Sequence, residues 1–138
     1  MRPDFDILVV DDEPVVLAAA RKVLEPEGLS VDDAADAGVA LKKLKRHTYG
    51  AVLCDLKLPG DGAPALLDFA REHLPNTPVV VITGYATQKS AMQSFNSGAF
   101  DFLPKPFDVD ELLAVVRRAL DRAKREPGRA TRRVKERP

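Results

Sequence analysis

The apolar residues of this chain switch between two periods five times over, and that alternation restricts the fold more than any single motif. Short apolar runs fit strands at 5–10, 29–34, 51–55, 79–83 and 100–103. After each run the apolar residues recur every three to four positions, the spacing of a helix that buries one face. Strands alternating with helices imply parallel pairing, right-handed crossovers and helices on both faces of a sheet. The expected fold class is α/β: a doubly wound, five-stranded parallel sheet with five helices. In the strand order 2-1-3-4-5, ligands sit in the crevice outside the strand ends, where the first and third strands meet.

Turn and capping residues mark the boundaries. Pro14 suits the first turn of the first helix, and Pro26 and Gly28 close it. Asp36 is placed to cap the second helix, with Ala37, Ala40, Leu41 and Leu44 on one face. The run Lys42-Lys43-Lys45-Arg46 reads as its solvated side. Pro64 is expected to start the third helix and Thr87 to cap the fourth. Asp108 and Glu111 have capping-box spacing ahead of the last helix, whose apolar period fades after about residue 124. Two units follow: residues 1–124 as the domain, and residues 125–138 as a basic flexible tail or the start of a linker.

Charge is balanced overall but not along the chain. Residues 1–121 carry 13 Lys and Arg against 19 Asp and Glu, a net of −6; residues 122–138 carry 8 against 2, a net of +6. The acidic body argues against nucleic-acid binding by the domain itself. An acidic partner or nucleic acid remains open for the tail. A single cysteine, Cys54, excludes an intrachain disulfide and is expected to pack as a small buried hydrophobe. His47 and His73 lack metal-ligand spacing and read as surface residues. No apolar run is long enough to span a bilayer, and the first residues lack a signal-peptide core, so a cytoplasmic location is expected.

In a parallel sheet every strand ends on the same edge. That edge would receive Asp11 and Asp12 after the first strand, Asp55 after the third, Thr83 after the fourth and Lys105 after the fifth. Three carboxylates brought together repel one another, and a hard divalent cation with oxygen ligands, Mg2+, relieves the repulsion. A Mg2+ site beside a free carboxylate suits phosphoryl transfer. The carboxylate attacks in line, while the metal and a lysine neutralise the phosphoryl oxygens. Asp55 is then the acceptor, Lys105 the lysine, and Thr83 a hydroxyl donor to a phosphoryl oxygen. Taken singly, each has a plainer structural role as turn residue, cap or surface charge. Together they fit one reaction.

With these residues in place, the chain resembles the receiver domain of bacterial two-component response regulators over about residues 5–122. The signals are the acidic pair Asp11-Asp12, the turn Asp55-Leu56-Lys57-Leu58-Pro59-Gly60, Thr83-Gly84, and Lys105-Pro106-Phe107. The resemblance implies a flavodoxin-like receiver fold with Asp55 as phosphoacceptor. It implies Mg2+ held by Asp11, Asp12, Asp55 and the backbone carbonyl of Lys57. It assigns Thr83 and Phe102 as the switch pair, Lys105 as the family's lysine, and a cis Lys105–Pro106 bond. Phosphorylation would draw Thr83 inward, and Phe102 would follow into the space. The face made by the fourth helix, fifth strand and fifth helix would change shape. Implied partners are a sensor histidine kinase or histidine phosphotransfer protein, and a downstream partner or output domain. A homodimer through that same face remains open. The expected role is regulatory, with no chemistry beyond the domain's own phosphorylation and dephosphorylation.

Some positions depart from the family pattern. Asp61-Gly62 falls one position early relative to the usual Pro-Gly-x-Asp-Gly, so an altered loop is expected. Phe102 lacks the hydroxyl of the tyrosine often found there. Tyr85 and Lys57 are expected to flank the phosphoryl group. The stretch from Val79 to Phe107 is most similar to receivers attached to enhancer-type ATPase activators. Three rivals remain. A haloacid-dehalogenase-like phosphatase needs a second Asp two residues after its nucleophile, where this chain has Lys57. A flavodoxin-like FMN module would meet repulsion from Asp11-Asp12-Glu13. A phosphorylation-independent pseudo-receiver would lack an acidic residue, the acceptor or the lysine, and all are present.

Overall fold

A computed structural model describes the backbone of residues 2–60, 62–84 and 87–136, and the side chains of these residues up to 124. Five parallel strands form one sheet: β1 (Phe5–Val10), β2 (Val31–Ala34), β3 (Tyr49–Asp55), β4 (Val79–Thr83) and β5 (Asp101–Pro104). Their order is β2-β1-β3-β4-β5, as the alternating pattern predicts. The helices are α1 (Pro14–Leu24), α2 (Ala37–Arg46), α3 (Gly62–His73), α4 (Gln88–Asn96) and α5 (Val109–Glu136).

The sheet divides the apolar residues into two layers because successive strand residues point to opposite faces. On one face Leu8, Val10, Val52, Cys54 and Val81 pack against Ala40 and Leu44 of α2 and Leu66, Leu67 and Ala70 of α3. On the other, Ile7, Val9, Leu53, Val80 and Ile82 pack against Ala20 and Leu24 of α1 and Leu112, Val115, Val116 and Ala119 of α5. β3 lies in the middle and is buried at all seven positions. That double-sided burial is why it reads as a continuous apolar run instead of an alternating one.

The capping residues act as expected. Asp36 accepts a hydrogen bond from Val39 N at 2.8 Å. Thr87 Oγ1 accepts one from Ser90 N at 3.0 Å, and Ser90 Oγ in turn accepts one from Thr87 N. Asp108 and Glu111 exchange the same reciprocal pair.

Several details differ from the sequence reading, among them β2, which begins at Val31 rather than Leu29, and β5, which runs Asp101–Pro104 rather than 100–103. β3 begins two residues early, at Tyr49, because Asp4 and Thr48 exchange side-chain-to-backbone hydrogen bonds and Phe5 stacks on the Tyr49 ring. Helix α3 begins at Gly62 rather than Pro64. A Cβ at Gly62 would stand 2.8 Å from Leu58 Cβ, so glycine lets this first turn press onto the preceding loop. Lys43 is not simply solvated: Nζ reaches back to Asp32 Oδ1 (3.0 Å) and the Asp33 carbonyl (2.7 Å) on β2. Finally, the backbone of α5 stays helical to Glu136, past the residue 124 at which a flexible tail was expected to begin.

Gly50 yields a stability prediction. A Cβ there would stand 2.7 Å from Leu120 Cδ2 and 2.8 Å from the Asp6 carbonyl oxygen. The oxygen belongs to the neighbouring strand and cannot move aside. Gly50→Ala is expected to cost about 1–3 kcal/mol by overpacking, read as a lower urea midpoint at unchanged slope.

Candidate functional site

Register brings the strand ends together. Val10 is level with Cys54, Asp55 with Ile82, and Thr83 with Pro104, so the residues following β1 and closing β3, β4 and β5 share one edge. Backbone hydrogen bonds fix the exits. Asp11 N donates to the Ala34 carbonyl (3.1 Å), Leu56 N to that of Ile82 (2.8 Å), and Lys105 N to that of Thr83 (2.8 Å). Gly60 turns the chain after Asp55 with φ of +65°, a conformation that favours glycine.

Asp11 and Asp55 are buried at 0% and 3% exposure, and Asp12 is exposed. One carboxylate oxygen from each lies within 4.8 Å of the others, so the three can hold a metal ion. Asp55 Oδ1 accepts from Lys57 N at 3.0 Å, and Asp55 Oδ2 lies 3.3 Å from Lys105 Nζ. Asp11 Oδ1 accepts from Glu13 N at 2.9 Å. Lys105 Nζ approaches Asp11 Oδ2 to 2.9 Å as a charge contact. Even so, that buried oxygen has no aligned hydrogen-bond donor among the described residues. A buried carboxylate oxygen with spare lone pairs, beside two further carboxylates, is the donor set a hard divalent cation takes.

The electrostatics follow from burial. Burial raises the Asp11 carboxyl above its ordinary range; Lys105 and the Glu13 amide pull the other way, and Asp55 adds to the rise. For Lys105, burial acts to lower the ammonium, but Asp11, Glu13 and Asp55 together outweigh it and hold the group charged well above the ordinary lysine range. Burial, helped by the negative charges of Asp55 and Asp11, keeps the Cys54 thiol protonated, consistent with its packing role.

Thr83 is fully buried at the end of β4. Phe102 is half-buried on β5, level with Val81, and therefore on the same sheet face as Thr83 two residues along. The Lys105–Pro106 bond is cis. The structure thus assembles Asp11, Asp12, Asp55, Lys57, Thr83 and Lys105 at one edge. Tyr85 and Asp61 lie outside the described residues. Glu13 is the residue that sequence reasoning passed over: its carboxylate meets Lys105 Nζ at 3.2 Å. The signal available for it was a third acidic residue directly after Asp11-Asp12.

Residues 7–117 match the family described as response regulator receiver domain. The chain belongs to that family. It is 39% identical over 119 residues to the nitrogen assimilation regulatory protein NtrX of Azorhizobium caulinodans, an alignment covering 84% of this chain and 26% of that protein. Among solved structures, the receiver domain of NtrX from Brucella abortus superposes with a TM-score of 0.78 at 39% identity, covering 84% of this chain and 98% of the other. The solution structure of a beryllofluoride-activated NtrC4 receiver domain dimer superposes with a TM-score of 0.81 at 32% identity, covering 86% and 98%. The chain spans about a quarter of the length of the curated relatives it matches. It is a response regulator receiver domain, a regulatory domain of two-component signal transduction, similar to the corresponding parts of NtrX and NtrC proteins. No helix among the described residues is long and apolar enough to cross a membrane.

Proposed function

We propose that Asp55 is the phosphoacceptor of a Mg2+-dependent aspartyl-phosphate switch. A sensor histidine kinase or histidine phosphotransfer protein would supply the phosphoryl group. The observation that carries this reading is the nearly buried Asp55 carboxylate, placed with Asp11 and Asp12 within 4.8 Å and with Lys105 Nζ at 3.3 Å. Asp11, Asp12, Asp55 and the Lys57 carbonyl would hold the ion, which when bound supplies positive charge to the phosphoryl oxygens. An Asp55 oxygen attacks phosphorus, the bond from phosphorus to the donor's nitrogen or oxygen breaks, and the donor leaves with that electron pair. Lys105 pairs with a phosphoryl oxygen, and Thr83 donates its hydroxyl to another.

The switch reading rests on position. Thr83 is buried beside the acceptor strand, and Phe102, half-buried on the same sheet face, can move further in when Thr83 moves toward the phosphoryl group. Contacts that differ between the two states are what shift the population. The face made by α4, β5 and α5 carries the change to a partner, a second copy or an output domain. Ser94 is the one buried residue that α4 contributes, so this helix is the least anchored of the set. Residues 1–124 form the receiver unit, and residues 125–138 serve as a basic tail or the start of a linker. The role is regulatory, limited to the domain's own phosphorylation and dephosphorylation, and cytoplasmic.

The test is intact-protein mass after incubation with acetyl phosphate. One phosphoryl group is expected to add in the presence of Mg2+, and none after chelation. Uptake that ignores chelation would sink the metal-assisted reading.

A further inference from the structure

Glu13 occupies the N-cap of α1 but does not act as a cap. Its backbone is extended (φ −98°, ψ 112°), as an N-cap should be, yet its side chain accepts no hydrogen bond from the first turn. The carboxylate instead crosses to the lysine 92 residues away, 3.2 Å from Lys105 Nζ. Asp, Asn or Ser would cap this helix well, whereas the longer glutamate is a poor cap with more reach.

That reach has a consequence, given the reading of Asp55 as acceptor on which this inference rests. Lys105 Nζ already has Asp11 at 2.9 Å and Asp55 at 3.3 Å. A metal ion held by Asp11, Asp12 and Asp55 would compete for two of these three partners. Glu13 is outside that ligand set, so metal binding leaves its contact with the ammonium available to oppose a phosphoryl group. An ammonium has three donors on a flexible stem, so each carboxylate it holds is one fewer direction for phosphoryl oxygens.

We infer that Glu13 is a positioning residue that slows phosphoryl uptake by competing with the incoming phosphoryl group for the Lys105 ammonium. The Glu13 side chain is 57% exposed and that of Lys105 17%, so the contact is part-solvated and reversible, as a competitor should be.

Two substitutions separate this competition from plain repulsion. Glu13→Gln removes the charge. Glu13→Asp keeps a charge at the mouth of the site but is one methylene too short to hold Lys105, and it supplies the missing cap, so folding is safe. The probe is beryllofluoride with Mg2+, titrated by thermal stability; acetyl phosphate uptake by intact mass gives the rate. Both variants are expected to bind beryllofluoride about two- to fivefold more tightly than wild type, the scale of a part-exposed ion pair. Both should gain phosphate faster by a similar factor. If Glu13→Asp behaves as wild type while Glu13→Gln tightens, repulsion is responsible and the positioning role is wrong. No change in either variant, or weaker binding, also overturns it. Absence of both beryllofluoride binding and phosphoryl uptake in wild type would instead remove the acceptor reading itself.

Discussion

Asp55→Asn is expected to abolish phosphoryl uptake from acetyl phosphate while leaving the fold intact. The amide keeps the size of the carboxylate at a position only 3% exposed, where truncation would leave a cavity. Its oxygen can still accept the Lys57 N–H that Asp55 Oδ1 accepts at 3.0 Å. What it lacks is a nucleophilic anionic oxygen, and losing the nucleophile costs far more than losing a supporting group, at least about a thousandfold in rate. Stability should change little. Lys105 loses one anionic partner, but Asp11, whose pKa Asp55 helps to raise, loses a repulsive neighbour. Intact mass with and without Mg2+, together with a thermal midpoint, checks both halves. A variant that still gains a phosphoryl group would place the acceptor on another residue, and Asp12 would be the first to replace.

The fold was legible because its signals are local and repeated. The double-sided burial of β3 leaves the run Ala51-Val52-Leu53-Cys54 no polar position, and β4 is β-branched from Val79 to Thr83. Caps at Asp36, Thr87 and Asp108 mark starts because their short side chains can bond only to the adjacent turn. The site was legible for a different reason: a parallel sheet sends every strand end to one edge, so polar residues far apart in the chain had to converge there. What escaped has no local signature. Gly50 gives no apolar signal, so the start of β3 is set by Phe5 and Thr48, which only tertiary packing supplies. The bond of Lys43 to β2 depends on how deep α2 sits, and its period alone places it on the outer face. Glu13 registered only as one more negative charge beside Asp11 and Asp12; its contact with Lys105 is visible only once the fold brings the two together.

Replacing Lys105 tests the electrostatic logic of the whole edge. Lys105→Met keeps most of the stem's packing and removes the charge, which truncation to alanine would not isolate. Without Mg2+ at neutral pH, the variant is expected to lose about 2–3 kcal/mol, because breaking a buried pair strands its partner, here the fully buried Asp11. The 17% exposure of the lysine keeps the figure below that of a wholly buried pair. The pH dependence has a definite sign. Burial already raises the Asp11 carboxyl, and Lys105 opposes the rise, so its removal raises Asp11 further. A carboxyl that holds its proton more tightly in the folded than in the unfolded state favours folding as pH falls. The deficit against wild type should therefore be largest at neutral pH and narrow toward acid, as Asp11 takes up a proton. Adding Mg2+ at neutral pH should also narrow it, since an ion on the carboxylates supplies the missing positive charge and binds only the folded form. Phosphoryl uptake should still fall about a hundredfold even with Mg2+, because the Lys105 ammonium, 3.3 Å from Asp55, is the side-chain charge placed to meet the phosphoryl oxygens. Urea unfolding at two pH values, with and without Mg2+, reads the first three effects, and intact mass reads the fourth. A deficit that is the same at both pH values and blind to Mg2+ would mean that Lys105 supports the fold by packing, and that the carboxylates at this edge do not depend on its charge.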